Sequence, residues 1–317
     1  MSDTPIKILL GPSSFGASNP APLERLRAAG LELVDNPFKR KLTQGELLEL
    51  LPGITGIIAG LEPLNRQVMA ASELKVISRV GVGLTNVDLE AAEELGIAVR
   101  YTPDAPTIAV AELTVGCLLS LLRRVAEMDR ALHQGRWHKC VGCQLSGRTV
   151  LLVGLGRIGL AVARLLGPIN VRLLGADPAV DQAPGEIEMV SLEDGLAQAD
   201  VISLHASGTE PILGPAELEM IKPGAFLLNP SRGELVDEAG LVAALDSGRL
   251  AGAWLDTFWR EPYDGPLTGY DNVMLTPHVG SYSAECRLDM EMQAVDNLLA
   301  ALDEQGQLPA GKVSGAS

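Results

Sequence analysis

The 317-residue chain is short of cysteine, of positive charge and of long apolar runs, and each shortage removes a class of function. Four cysteines do not make a disulfide framework, so a reducing compartment, the cytoplasm, is expected. Twenty-five Lys+Arg against 40 Asp+Glu leave a formal net charge of −15. A surface that acidic repels nucleic acid and anionic lipid, so neither is expected as a partner. Only a local cluster of Arg or Lys could draw in an anionic substrate. No window approaches the ~20 uninterrupted apolar residues of a membrane span. The longest stretch, residues 110–122, contains Glu112 and stops at Arg123 and Arg124. The start, MSDTPIKILLG, has no cationic region followed by a long apolar stretch, so no secretory leader is expected. Internal repeats at 20–50 residues and low-complexity tracts are missing too.

What is present is ordinary globular composition, 47% hydrophobic and 21% charged, at a length that fits two domains. Short aliphatic runs at 6–11, 31–34, 56–60, 76–81 and 97–102 read as strands. Helical patterns lie between them at 21–29, 43–50, 65–71 and 88–95, the last preceded by the capping side chains of Asn86 and Asp88. A long amphipathic pattern, 108–134, predicts one helix of more than twenty residues. Six nearly continuous apolar runs follow, at 149–153, 171–176, 201–206, 225–229, 252–256 and 273–275, as expected of strands buried on both faces. A helix at 284–302 precedes a Gly/Ser/Ala-containing tail read as loose. The alternation predicts an α/β chain with two doubly wound parallel sheets in tandem.

The second sheet opens on a phosphate-binding pattern. Residues 149–153 run into Gly154-Leu155-Gly156-Arg157-Ile158-Gly159 and then a helix. Gly154 serves the tight turn, Gly156 the close approach of a pyrophosphate, and Gly159 the packing of helix on strand. The helix N-terminus offers unpaired N–H groups and a positive dipole end. Asp177 ends the next strand, eighteen residues past Gly159. A carboxylate there accepts from both ribose hydroxyls and repels a 2′-phosphate, which predicts NAD over NADP.

Three further landmarks close predicted strands: Asn229-Pro230-Ser231-Arg232-Gly233, Glu261-Pro262, and Thr276-Pro277-His278-Val279-Gly280. Together with VISRVGVGLTNVDLEAAEELGI, VGLGRIG, NPSRGELVDEAGL and LDTFWREP…LTPHVG, they make residues 56–299 closely resemble the D-isomer-specific 2-hydroxyacid dehydrogenases, within them the phosphoglycerate dehydrogenase-like branch. The resemblance implies a flavodoxin-like substrate domain, 1–102 plus 284–317, and a Rossmann NAD-binding domain, 103–283. It implies His278 as the general acid for ketone reduction and base for alcohol oxidation, with Glu261 as its carboxylate partner. Arg232 would grip the substrate carboxylate and polarise the reacting carbonyl. Asp256 would meet the nicotinamide carboxamide, and Ala206, Pro230, Ser231, Arg157 and Ile158 would line the cofactor. Arg79, Val82 and Gly83 belong to the loop that presents backbone N–H groups to the substrate carboxylate. Arg79 either adds charge there or pairs with a neighbouring acid. The long helix resembles the family's dimer element, so a homodimer is expected.

Departures from the family pattern bear on the substrate. Thr85 replaces an acid, the segment 59–63 lacks the Arg some phosphoglycerate dehydrogenases use for phosphate, the loop 206–211 is short, and the C-terminal regulatory domain of longer phosphoglycerate dehydrogenases is not expected. The expected reaction is hydride transfer between NAD and a small D-2-hydroxy or 2-oxo acid, with 3-phosphoglycerate or another doubly anionic acid still open. Dehydrogenation of phosphite or formate and a non-catalytic, corepressor-like NAD sensor are the competing readings. Cys140 and Cys143, beside His138, are expected to be a structural or adventitious thiol pair, not a metal or redox site. Trp137 is read as an anchor for the end of the long helix, with Lys139 near a subunit interface.

Overall fold

The computed structural model describes residues 5–308, so the tail beyond them lies outside the described residues. The chain divides into two compact units, Met1–Pro106 with Tyr282–Ser317, and Thr107–Ser281. In the first unit β1 (Lys7–Leu10), α1 (Ala21–Ala28), β2 (Glu32–Asp35), α2 (Gln44–Leu50), β3 (Gly56–Ala59), α3 (Arg66–Ala70), β4 (Val76–Arg79), α4 (Leu89–Glu94) and β5 (Ala98–Tyr101) alternate along the chain. The strands are parallel in the order β2-β1-β3-β4-β5, the flavodoxin-like arrangement. Local chemistry starts the helices. Thr43 and Glu46 close a reciprocal capping box on α2, and Asp88 accepts the Ala91 N–H at the head of α4.

The second unit opens with α5 (Pro106–Leu122) and α6 (Val125–His133). The single helix expected over 108–134 is therefore broken. Arg124 takes φ 52°, ψ 37°, a left-handed conformation that cannot carry the i→i−4 ladder through. Its guanidinium reaches the Glu127 carboxylate at 2.7 Å, which helps offset the cost. There follow β6 (Thr149–Val153), α7 (Arg157–Leu166), β7 (Arg172–Ala176), β8 (Ile187–Met189), α8 (Leu192–Gln198), β9 (Val201–Leu204), α9 (Pro215–Met220), β10 (Ala225–Asn229), α10 (Glu238–Asp246), β11 (Leu250–Leu255) and β12 (Val273–Leu275). The parallel order β12-β11-β10-β9-β6-β7-β8 is the Rossmann arrangement with a seventh strand on one edge. Three-residue β8 sits at the other edge, half-exposed, and its short run carries no alternation that a sequence pattern could register.

The last helix, α11 (Ala284–Glu304), belongs to the first unit. Ser283 caps it by accepting the Cys286 N–H. Its Ala294, Val295 and Leu298 are fully buried, and Ser78 of β4 donates to the Ala294 carbonyl at 2.7 Å. Apolar burial of this size, ~25 cal/mol per Å², holds each sheet to its helices. In the second unit two clusters, around Leu151, Ile202 and Leu227 on one face and Val150, Leu228 and Trp254 on the other, leave the strand ends free to carry chemistry. Among the described residues no helix is long and apolar enough to cross a membrane.

Candidate active site

Register brings the chemical residues of the second unit into one row. Val153 pairs with Ala176 and Leu204, Asn229 with Leu255, and Leu255 with Leu275. The residues after those strand ends are Gly154, Asp177, His205, Pro230, Asp256 and Thr276. All follow the C-terminal edge of one parallel sheet, on either side of the point between β6 and β9 where the strand order reverses. Ligands bind doubly wound sheets there.

The glycine turn is shaped by close backbone approach. A Cβ on Gly154, at φ +95°, would lie 2.6 Å from the Ala206 nitrogen, and one on Gly159 2.2 Å from the Gly154 oxygen. Above Gly156, which precedes the first turn of α7, such an atom would meet nothing within 4 Å. Asp177 binds the same turn: one oxygen accepts the Leu155 N–H at 2.8 Å, the other the Ala179 N–H at 2.9 Å. Each oxygen keeps acceptor capacity for a hydroxyl. Arg157 is exposed and Ile158 half-buried at the head of α7. Pro230 is buried and Ser231 donates to the Leu204 carbonyl at 2.7 Å, which ties β10 to β9 beside Ala206. His205, ahead of Ala206, receives no role from the sequence. Its Nε2 lies 2.8 Å from Ser203 Oγ, its buried Nδ1 has no partner, and burial pushes the ring down to about 3, so it is neutral. Open space over the helix N-terminus, a carboxylate at the neighbouring strand end and an unpartnered buried nitrogen beside them fit a dinucleotide.

Arg232, Glu261 and His278, the candidate catalytic residues, follow β10, β11 and β12. Fully buried Asn229 accepts the Ser231 N–H and donates to the Arg232 carbonyl, folding the turn that carries Arg232. Arg232 Nη1 donates to the Ser231 carbonyl at 2.6 Å. His278 Nδ1 stands 3.0 Å from both oxygens of Glu261, which leaves Nε2 as the nitrogen able to exchange a proton with a substrate. Burial pushes the Glu261 carboxyl up. The His278 hydrogen bond and charge, the Phe258 N–H and the Arg232 guanidinium together outweigh it and hold the group below the usual carboxylate range. Thus Arg232, Glu261 and His278 share one electrostatic neighbourhood.

His278 takes φ 54°, a left-handed backbone that costs of order 1–3 kcal/mol outside glycine. Asp256 holds it there. At 1% exposure its carboxylate accepts from Thr276 Oγ1 at 2.6 Å, the Val279 N–H at 2.9 Å and the Gly280 N–H at 2.8 Å. Burial outweighs those donors and pushes the Asp256 carboxyl above its ordinary range. Trp254 Nε1 donates to the same Thr276 hydroxyl at 3.0 Å. Asn229, Thr276 and Trp254 are positioning residues that sequence reasoning leaves without a role. Asn229 and Thr276 do stand at the head of motifs it quotes.

Arg79, Val82 and Gly83 lie in the first unit, at the end of β4. Arg79 is buried, donates to the Val80 carbonyl and lies in the field of Glu62, itself 1% exposed. Burial pushes the Glu62 carboxyl up, against its own N–H, that of Gly60 and the Arg79 charge. The Gly81 N–H is taken by Thr102 Oγ1 at 2.8 Å, and Val82 is exposed.

Residues 115–280 match the family profile described as D-isomer specific 2-hydroxyacid dehydrogenase, NAD binding domain. The chain is 38% identical to a glyoxylate reductase of Thermofilum pendens over 269 residues, 80% of this chain and 79% of that protein. It is 32% identical to a D-3-phosphoglycerate dehydrogenase of Archaeoglobus fulgidus over 87% of its own length, but spans only 54% of that longer protein. Among solved structures, the TT0316 protein from Thermus thermophilus superposes with a TM-score of 0.87 at 38% identity, covering 96% of this chain and 99% of that one. The chain therefore belongs to the D-isomer specific 2-hydroxyacid dehydrogenase family, as an oxidoreductase with the family's NAD-binding domain.

Proposed function

We propose that this enzyme reduces small 2-oxo acids of the glyoxylate and hydroxypyruvate class to the corresponding 2-hydroxy acids with NADH, with D configuration where the product is chiral. The observation that carries the reading is the His278–Glu261 pair, 3.0 Å apart at the strand edge that also bears the glycine turn. Bound NADH supplies the hydride. Arg232 holds the substrate carboxylate by its two-pronged fork and draws charge toward the carbonyl oxygen. His278 Nε2 gives its proton to that oxygen as the alcohol forms, while Glu261 on Nδ1 steadies the charged ring before the transfer. Asp256, by fixing residues 276–280, keeps the imidazole in the one orientation that serves.

The segment after β3 favours a substrate with a single negative charge. Residues 59–63 contain buried Glu62 and no Arg or Lys of their own, and the neighbouring cations Arg79 and Lys41 already act on that carboxyl, which leaves less positive charge for a phosphate. Asp177 supports NAD over NADP. Exposed Leu132, Trp137 and Val141, on and after α6, support a homodimer, and four unpaired cysteines support the cytoplasm. The test is absorbance decay of NADH with glyoxylate, hydroxypyruvate, phosphohydroxypyruvate, phosphonopyruvate and sulfopyruvate, repeated with His278→Ala. Turnover of the first two is expected, lost in the variant while NADH fluorescence still reports binding. Phosphohydroxypyruvate as the preferred substrate, or an unimpaired variant, overturns the reading.

A further inference from the structure

Away from the strand edge, the second unit gathers three unlike metal-binding atoms. Glu127 lies in the first turn of α6, and His138 and Cys140 lie in the segment that follows that helix. Cys140 Sγ is 3.1 Å from Glu127 Oε1 and 3.0 Å from His138 Nε2, and that nitrogen is 3.3 Å from the same carboxylate oxygen. One thiol, one imidazole and one carboxylate thus face a single point, with all three ligand atoms within 4.8 Å of one another.

The backbone holds this triangle from both sides. Gly142 passes so close to the end of α5 that a Cβ there would lie 2.5 Å from the Leu122 carbonyl and 2.8 Å from Arg123 Cα. The next N–H, of Cys143, donates to that Leu122 carbonyl at 2.8 Å. The Cys140 N–H points to Met128 Sδ at 3.5 Å, a second tie to α6. Arg124 occupies the other oxygen of Glu127, Oε2, at 2.7 Å, which orients the carboxylate and leaves Oε1 for the triangle. An outer partner on a ligating carboxylate is how metal sites fix their ligands.

We propose that Glu127, His138 and Cys140 form a Zn²⁺ site with three protein ligands and one position open to water. Zinc bonds of about 2.3 Å to sulfur and about 2.0 Å to nitrogen and oxygen give tetrahedral edges of roughly 3.3–3.6 Å. The triangle has edges of 3.0, 3.1 and 3.3 Å, so an ion enters after an opening of half an ångström or less. A thiolate with an imidazole disfavours Mg²⁺ and Ca²⁺, which take oxygen ligands, and suits a borderline-soft ion. As the sulfur–metal bond forms, the thiol proton leaves to solvent. The ion clasps the segment after α6 to that helix. It involves Cys140 and not the Cys140/Cys143 pair that the Cys-x-x-Cys spacing brings forward. None of the three residues belongs to the redox site, so the clasp stands or falls separately from the substrate reading.

The experiment is a Co²⁺ titration of the full-length chain, reduced and stripped with a chelator, followed by absorbance and then displaced with Zn²⁺. One equivalent is expected to bind, with a tetrahedral visible spectrum and an ultraviolet thiolate-to-cobalt band, both erased by Zn²⁺. Cys140→Ser is expected to remove the ultraviolet band, and His138→Gln to weaken binding by at least the about 10–100-fold that even outer partners are worth. Zn²⁺ should raise the unfolding temperature of the parent protein and not that of Cys140→Ser. Cys143→Ser should change nothing. Absence of saturable binding, binding without the thiolate band, a band that survives Cys140→Ser, or one lost with Cys143→Ser overturns the proposal.

Discussion

Gly233→Ala tests how tightly Arg232, the proposed substrate-binding arginine, is held. A Cβ on Gly233 would lie 2.2 Å from the Phe258 carbonyl carbon, 2.4 Å from the Trp259 nitrogen and 2.7 Å from Phe258 Cα. All three are backbone atoms of the segment between Asp256 and Glu261, so no side chain can swing aside. Ordinary contact needs over 3 Å, and the turn must recede by about 1 Å, taking Arg232 with it. Forcing one extra methyl into a packed site costs about 1–3 kcal/mol. A 1 Å error in a reacting group costs about 100-fold in rate. The assay pairs urea unfolding with kcat/KM for a 2-oxo acid and NADH. Gly45→Ala is the control, because a Cβ on that exposed residue of α2 meets nothing within 4 Å. Gly233→Ala is expected to lose both stability and rate, and the control neither. If Gly233→Ala keeps the parent's unfolding midpoint and its rate within about threefold, the close approach does not constrain the site. Lost stability with an unchanged rate would remove Arg232 from the chemistry.

Asp177→Ala should narrow the preference for NADH over NADPH by at least about tenfold, about 1.4 kcal/mol, measured as the ratio of kcat/KM values. An unchanged ratio would take Asp177 out of ribose recognition. His205 gives a pH prediction. The unfolded ring protonates near 6.5 but the folded one only near about 3, so below pH 6.5 the unfolded state binds the extra proton. Stability is then full above pH 6.5 and falls as the pH drops toward 3, by at most about 1.4 kcal/mol per pH unit. The residue is partly exposed, so that slope is a ceiling. Urea unfolding at pH 7, 6 and 5 should show the decline in the parent and a shallower one in His205→Asn. Identical slopes would refute it.

Much of the fold is legible in the chain because both its signals are local. Strands such as 225–229 and 201–204 are buried throughout and apolar but for Asn229 and Ser203, and caps such as Asp88 and Ser283 sit beside the helices they start. The break at Arg124 was not legible: the apolar period runs across it, and the left-handed residue is tied to an ion pair with Glu127. Edge strand β8 was hidden for the opposite reason, being too short and too wet to show a pattern.

For the site, sequence alone determined the residue types and their spacing: glycines where backbone must approach, an acid one strand on, and a His, an Arg and a Glu after later strands. Those follow from chemistry that needs particular side chains at particular strand ends. Tertiary structure alone decided which groups are spent on architecture. It places Asp256 beneath residues 276–280 as the anchor of a left-handed His278, buries Glu62 beside Arg79, and turns Glu127, His138 and Cys140 toward one point. Each of these depends on burial and on the direction of a side chain, and both are set by packing between residues distant in the chain, not by the order in which they occur.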